Sequence, residues 1–210
     1  RSSAASDVYK RQFEESSSER ALNSIKIYPG WTSKSYDGLK EGRKIQLDNK
    51  DLRITDTHFP DYVIKAGASI WQDTVTISFG SEYASVGLAG VFPNHIEIET
   101  IKLFKGRFIN ETDIKERRKV IVLHKKTAEI LFHKTHTEPI GQFVNMGNVA
   151  YRVVGLCNDK GDSGEKPALI PFSTLQTIYN QGDKLSCLTI ATKNLETIEA
   201  NNNFEKEYRK

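Results

Sequence analysis

The chain has 210 residues, 38% of them hydrophobic and 27% charged, the proportions of an ordinary folded protein with one large domain or two small ones. Its 30 basic residues face 27 acidic ones, mixed along the chain, and that balance lacks the basic stripe that nucleic acid selects for. No apolar run approaches the ~20 residues needed to cross a bilayer, so the chain is either soluble by nature or a piece cut from something membrane-bound.

Residues 1–24 have no hydrophobic periodicity: RSSAASDVYKRQ resembles an expression or sequencing scar, and FEESSSER continues as a polar lead. Structure is expected to begin at NSIKIYPG, a short strand stopped by the turn-forming pair Pro29-Gly30. In LDNKDLRITDTHFPDYV, Asp48 offers a helix cap and Pro60 ends the helix. DTVTISF alternates Val75, Ile77 and Phe79 with Thr74, Thr76 and Ser78, which predicts a strand with one face buried. YASVGLAGV reads as its hairpin partner. PNHIEIETIKLFKGRF fits both periods, and Pro93 tips the reading toward a helix.

VIVL at 120–123 suits a buried strand, and HKKTAEILF places Ala128, Leu131 and Phe132 on one helical face. In PIGQFVNMGNVAYRVVGL (139–156), Gly147-Asn148 takes a tight hairpin turn, and Val149, Tyr151 and Val153 alternate on one face of the returning strand. A loop NDKGDSGEKP leads to a short strand ALIP. Ser173 and Gln176 have capping-box spacing, which predicts a helix from there to Asn180. LSCLTIAT is a further strand, and the C-terminus reads as a polar helix. Strand runs broken by single helices predict an α+β fold, divisible into two subdomains.

Candidate chemistry is sparse. His133 and His136 are three residues apart, near His124, but no Asp, Glu or Cys completes a metal-ligand pattern; exposed histidines on a lysine-rich surface are expected and no metal is predicted. Ser163 in GDSGEK is similar to the glycine-flanked serine of some hydrolases. It lacks the strand–turn–helix context of a nucleophile elbow, and a flexible loop explains the composition. KGRF and KERRK form a basic cluster between residues 105 and 119, read as ordinary surface-turn charges, with phosphate headgroups or an acidic partner as the alternative. Cys157 and Cys187 match no metal or redox spacing and sit in apolar strand contexts, which predicts buried thiols. Trp31 and Trp71 lie beside turn residues, where each serves either as a partner anchor or as a partly buried side chain.

The succession of segments resembles the extracytoplasmic core domain of MacB-like ABC-transporter permeases. The resemblance rests on LFKGRFINETD (103–113), KVIVLHKKTAEILF (119–132), PIGQFVNMGNVAYRVVGL (139–156), ALIPFSTL (168–175) and LSCLTIAT (185–192), in that order. His124 and His133 stand where the family usually has small residues. The resemblance implies two lobes: a porter-like α/β lobe from 25–108 plus 181–210, and an inserted smaller mixed α/β lobe at 109–180. It implies a periplasmic domain of an inner-membrane protein, inserted between the first and second transmembrane helices of a four-helix permease. Its partners would be a second permease copy, a cytoplasmic ATPase subunit and a periplasmic adaptor or lipoprotein, with no nucleic acid. This domain would be non-catalytic and hold no cofactor, ATP being bound by a separate nucleotide-binding domain or subunit. Gly106, Arg107 and Phe108 would mark the passage between lobes, with Arg107 fixing a carboxylate or carbonyl and Phe108 in the core. Pro139, Gly141, Gly155 and Pro171 would shape turns of the inserted lobe. The competing readings are a stand-alone extracytoplasmic domain binding peptide or lipid, and an enzyme of unrecognised type.

Overall fold

The computed structural model describes residues 24–32, 35, 38, 40–99, 101–158, 167–193 and 203–204. Strand β1 (Ser24–Ile27) lies antiparallel to β9 (Cys187–Thr192), with Ser24 opposite Ala191, so residues near the two ends of the chain meet at one edge. Helix α1 (Asn49–His58) starts as Asp48 allows: its carboxylate accepts the N–H groups of Lys50 and Asp51, and Asp51 in turn accepts the N–H of Asp48. Replacing Asp48 by alanine is expected to remove about 1 kcal/mol of stability, read as a lower urea midpoint at unchanged slope.

Strands β2 (Val63–Phe79) and β3 (Glu82–Val91) form a long hairpin. The alternation around Val75 and Ile77 marks only the distal part of β2. From Ala66 to Ile70 every residue is buried, because both faces are covered and the polar half of the pattern vanishes. The segment read as a helix after Pro93 supplies a single turn, α2 (His95–Ile98), and then strand β4 (Lys102–Gly106). That correction has a long-range cause: β4 pairs antiparallel with β7 (Val149–Asn158), a partner that local periodicity does not reveal.

Beyond α3 (Glu111–Lys115), strand β5 (Val120–His124) runs directly into α4 (Lys125–Phe132), which buries Ala128, Leu131 and Phe132. Strand β6 (Phe143–Met146) turns into β7 at Gly147, whose φ is +59°. Strand β8 (Ala168–Pro171) leads into α5 (Phe172–Ile178). The predicted capping box is absent. The helix starts upstream of Ser173, whose hydroxyl instead donates to the Ile114 carbonyl at 2.5 Å, and Pro171 holds the cap position without a side-chain hydrogen bond. The loop NDKGDSGEKP and the C-terminal helix lie largely outside the described residues.

Among the described residues nine strands make one sheet, and part of it closes on itself. The path β2–β3–β8–β5–β7–β6 returns to β2, since β6 pairs with both β7 and the distal part of β2. A bulge between Gln72 and Val75 bends β2 where it leaves β9 and turns toward β6. All strands of the ring feed one buried cluster: Ile77, Leu88, Ile170, Ile121, Leu123, Tyr151, Val153 and Val144 are each fully buried and pack with Leu131 and Leu175 of the helices. Alternate residues Ala89, Val91, Val122, Leu169 and Cys157 form a second cluster, covered by Phe108 and Ile109. The fold is thus mixed α/β. The ring draws β2 and β3 from residues 25–108 and β5 to β8 from residues 109–180.

Candidate functional site

The most constrained place in the molecule is where β4 leaves the sheet. Gly106 and Gly155 are register partners, and each backbone sits against the other strand. A Cβ on Gly106, whose φ is +77°, would lie 2.3 Å from the Val154 carbonyl oxygen; one on Gly155 would lie 2.1 Å from that of Arg107. The Arg107 N–H donates to the Val154 carbonyl at 2.9 Å and fixes this approach.

The Arg107 side chain then closes the corner. Its Nη1 donates to Asp113 Oδ2 at 2.6 Å and to the Phe108 carbonyl at 2.9 Å, and its Nη2 donates to Asp113 Oδ1 at 3.1 Å. This is the two-pronged geometry that a guanidinium offers a carboxylate. Asp113 is fully buried and also caps α3: it accepts the Asn110 N–H at 3.0 Å while Asn110 Oδ1 accepts the Asp113 N–H at 2.9 Å. Arg118 lies 3.7 Å from the same carboxylate. Helix α5 adds two hydroxyl bonds, from Ser173 to Ile114 and from Thr174 to the Arg118 carbonyl at 2.9 Å. Phe108 is buried against the outer cluster. The corner is therefore a clamp joining β4, α3 and α5, built to hold position rather than to react.

Local pairing also engages part of the basic cluster. Lys105 meets Glu138 at 2.5 Å and Arg118 meets Glu116 at 2.8 Å; the hydrogen bond from Lys105 holds the Glu138 carboxyl below the usual carboxylate range. Near Glu138, the Pro139 carbonyl accepts the Gln142 N–H at 3.1 Å, and Gly141, at φ +89°, donates to the Val153 carbonyl at 2.8 Å. Pro171 ends β8 opposite Val91. Trp31 and Trp71 are 68% and 49% exposed. Trp31 pairs with Lys44 across a small loop, and the Trp71 N–H donates to the Ser186 hydroxyl at 3.1 Å.

The histidines do not converge on a metal. His133 and His136 are exposed, with ring centroids 6.4 Å apart, whereas His124 is buried, contrary to the exposed position expected for it. It caps α4, accepting the Lys126 N–H at 3.4 Å, because β5 passes into that helix without a loop. Among the described residues no group of three His, Cys, Asp or Glu side chains could hold a metal ion. Ser163 lies outside the described residues. Cys157 and Cys187 are both buried, and burial pushes the Cys187 thiol up.

Periodicity gave no sign of His95, which is buried in α2 with Nδ1 unpartnered among the described residues. Burial lowers its pKa from 6.5 to about 4, opposed by Glu99 and reinforced by Lys26. The folded form resists a proton that the unfolded chain accepts. Stability is therefore full above pH 6.5 and falls as the pH drops toward 4. Between pH 7 and pH 5 this residue is expected to remove about 2 kcal/mol, and urea titrations of His95→Gln should lack that increment.

Against this geometry, comparison with known proteins is decisive for the family. The model of the MacB-like periplasmic core domain matches residues 3–203. The chain belongs to that family. It is 29% identical over 60% of its length to the macrolide export ATP-binding/permease protein MacB of Bartonella henselae, and 22% identical over 94% of its length to the protein of that name from Rhodopseudomonas palustris strain BisB18. It spans only 19% and 30% of those two relatives. Two solved structures share the fold of this MacB-like domain. The periplasmic region of MacB from Actinobacillus actinomycetemcomitans superposes with a TM-score of 0.71 at 19% identity, covering 93% of this chain and 89% of that one. The extracellular domain of the noncanonic ABC-type transporter YknZ, from Gram-positive bacteria, gives 0.65 at 18% identity, covering 88% and 95%.

Within the MacB-like domain, Asp113 is the residue that reading by segments missed. Its signal was present as Asn110-x-x-Asp113, the same capping spacing as Asp48-x-x-Asp51.

Proposed function

We propose that this chain is the non-catalytic periplasmic domain of an ABC-transporter permease, coupling cytoplasmic ATP hydrolysis to movement outside the membrane for export or extrusion. The observation that carries this reading is the family match over residues 3–203. The meeting of β1 and β9 supports it, because a domain inserted between two membrane helices must begin and end at one place. Among the described residues no helix is long and apolar enough to cross a membrane, so on this reading the membrane helices lie in the rest of the permease. ATP belongs to a separate nucleotide-binding domain or subunit, and no cofactor is needed here.

Residues 25–108 with 181–210 form the porter-like lobe of this reading, and 109–180 the inserted lobe. The Arg107–Asp113 clamp keeps them moving as one body, and Gly106, Phe108, Pro139, Gly141, Gly155 and Pro171 are structural. Trp31 and Trp71, exposed as they are, are offered to a second permease copy or to an adaptor or lipoprotein. The test is made in the full-length permease. Replacing residues 24–193 by a short Gly/Ser linker should leave ATPase binding intact and abolish ATP-driven export. Export that survives the deletion sinks the reading.

A further inference from the structure

Strand β1 is an edge of the sheet: among the described residues it pairs with β9 alone. Its Lys26 stands in one row with Thr189 of β9 and Gly67 of β2, and the segment at α2 packs onto that row. The seat is close, since a Cβ on Gly67 would lie 2.4 Å from Asn94 Oδ1. It is also poorly satisfied. Asn94 and His95 are both buried, yet the two amide atoms of Asn94 and the Nδ1 of His95 have no hydrogen-bond partner among the described residues. Buried polar atoms are otherwise paired, and a seat that leaves three of them unpaired is ready to rearrange.

The charges around His95 decide what the rearrangement is. Glu99 lies one turn downstream, its N–H donating to the His95 carbonyl at 3.0 Å, which places the two side chains on one helical face. The Glu99 carboxylate is paired with Lys26, and this ion pair ties β1 to α2. Tyr28 and Cys187 also face the pair, but burial raises the pKa of both, so they are neutral at pH 7 and below. Glu97 of α2 is exposed, and Lys65 of β2 is paired with Glu111. Glu99 and Lys26 are therefore the charges that act on the imidazole, with opposite effect.

A proton on His95 creates a buried cation, which is costly unless a carboxylate meets it. Glu99 is the carboxylate within one turn, and Lys26, partly exposed, can be left to water. We propose that His95 is a proton-operated latch on the edge strand: once protonated it takes Glu99 from Lys26, and β1 opens while the ring of strands stays closed. The latch is fully shut above pH 6.5 and weakens as the pH drops toward 4, because the shut form binds the proton less readily than the open one. Between pH 7 and pH 5 opening of β1 becomes about twentyfold more frequent. The latch goes beyond the coupling role and belongs to the domain itself, so its failure leaves that role standing.

The test is amide hydrogen exchange of the full chain, followed by NMR and corrected at each pH for the intrinsic rate of each amide. Amides that bridge β1 and β9 should lose about twentyfold in protection from pH 7 to pH 5, while those of β5 and β7 keep theirs. In His95→Gln the β1 amides should keep their protection over the same range. The His95 imidazole resonance gives a second readout: Lys26→Met frees Glu99 and should raise its titration midpoint, whereas Glu99→Gln should lower it. Equal loss of protection in β1 and in the ring is general acid loosening and overturns the latch. A full loss that persists in His95→Gln removes His95 as its operator, and a midpoint indifferent to Lys26→Met overturns the transfer of Glu99.

Discussion

Replacing Arg107 by methionine is expected to destabilise the domain by about 2–3 kcal/mol, more than replacing the residue that it binds. The asymmetry follows from burial. The Asp113 side chain is wholly buried, whereas that of Arg107 is 42% exposed. Without the guanidinium, a carboxylate stays inside the fold with two N–H groups of the charge-assisted set lost and only Arg118, at 3.7 Å, as a charged neighbour. Without the carboxylate, the guanidinium turns to water, and the main loss is the cap on α3, about 1 kcal/mol. Solvent beside Arg107 keeps the first figure below the 3–5 kcal/mol seen when a fully buried pair is broken. The double variant Arg107→Met, Asp113→Ala should therefore be more stable than Arg107→Met alone. Urea unfolding of the four proteins gives the cycle, and a double variant at or below the sum of the single losses would refute a buried-charge penalty.

What could be read from residues alone follows the range of the interactions. The helix at Asp48 and the turn at Gly147 depend on neighbours within a few positions, and both stand where the sequence puts them. The failures all involve partners far along the chain. Ser173 and Gln176 have the right spacing for a cap, but the Ile114 carbonyl lies close enough to take the Ser173 hydroxyl. The proximal half of β2 lost its alternation because α1 and α5 pack against β2 and Asn94 lies against Gly67, and β4 is a strand because β7 is beside it. His95 shows the same limit from the polar side, since an isolated histidine next to Asn94 gives no hint that both will be enclosed. The resemblance to a family supplied the order of segments, which no local rule contains. The clamp needed both: a capping pattern visible in Asn110-x-x-Asp113, and an arginine brought to it only by the β4–β7 pairing.

Glycines make the sharpest case, and they carry the prediction with the largest expected effect. Gly147 and Gly155 sit in one apolar stretch and look alike in sequence, yet their neighbourhoods are opposite. A methyl on Gly147 meets nothing within 4 Å; only its φ of +59° resists, so Gly147→Ala should lose about 1–2 kcal/mol. Gly155 shows no left-handed φ, so its backbone would accept alanine. Its obstacle is the Arg107 carbonyl oxygen, 2.1 Å from where the methyl would be, with the carbonyl carbon at 3.1 Å. That oxygen belongs to main chain held by the Arg107 N–H to Val154 bond, so it cannot swing aside as a side chain would. Relief requires β4 to separate from β7 at the corner, which pulls Arg107 off Asp113 and uncovers Phe108. Gly155→Ala should therefore lose about 4 kcal/mol or more, beyond ordinary overpacking, with Gly106→Ala at least as severe because its φ of +77° adds strain to a 2.3 Å contact. Hydrogen exchange locates the damage: amides of β4 and of 153–156 should lose protection first, while those of α1 keep theirs. A Gly155→Ala domain within 1 kcal/mol of the parent, or one that loosens uniformly, would show that the strands do not meet so closely.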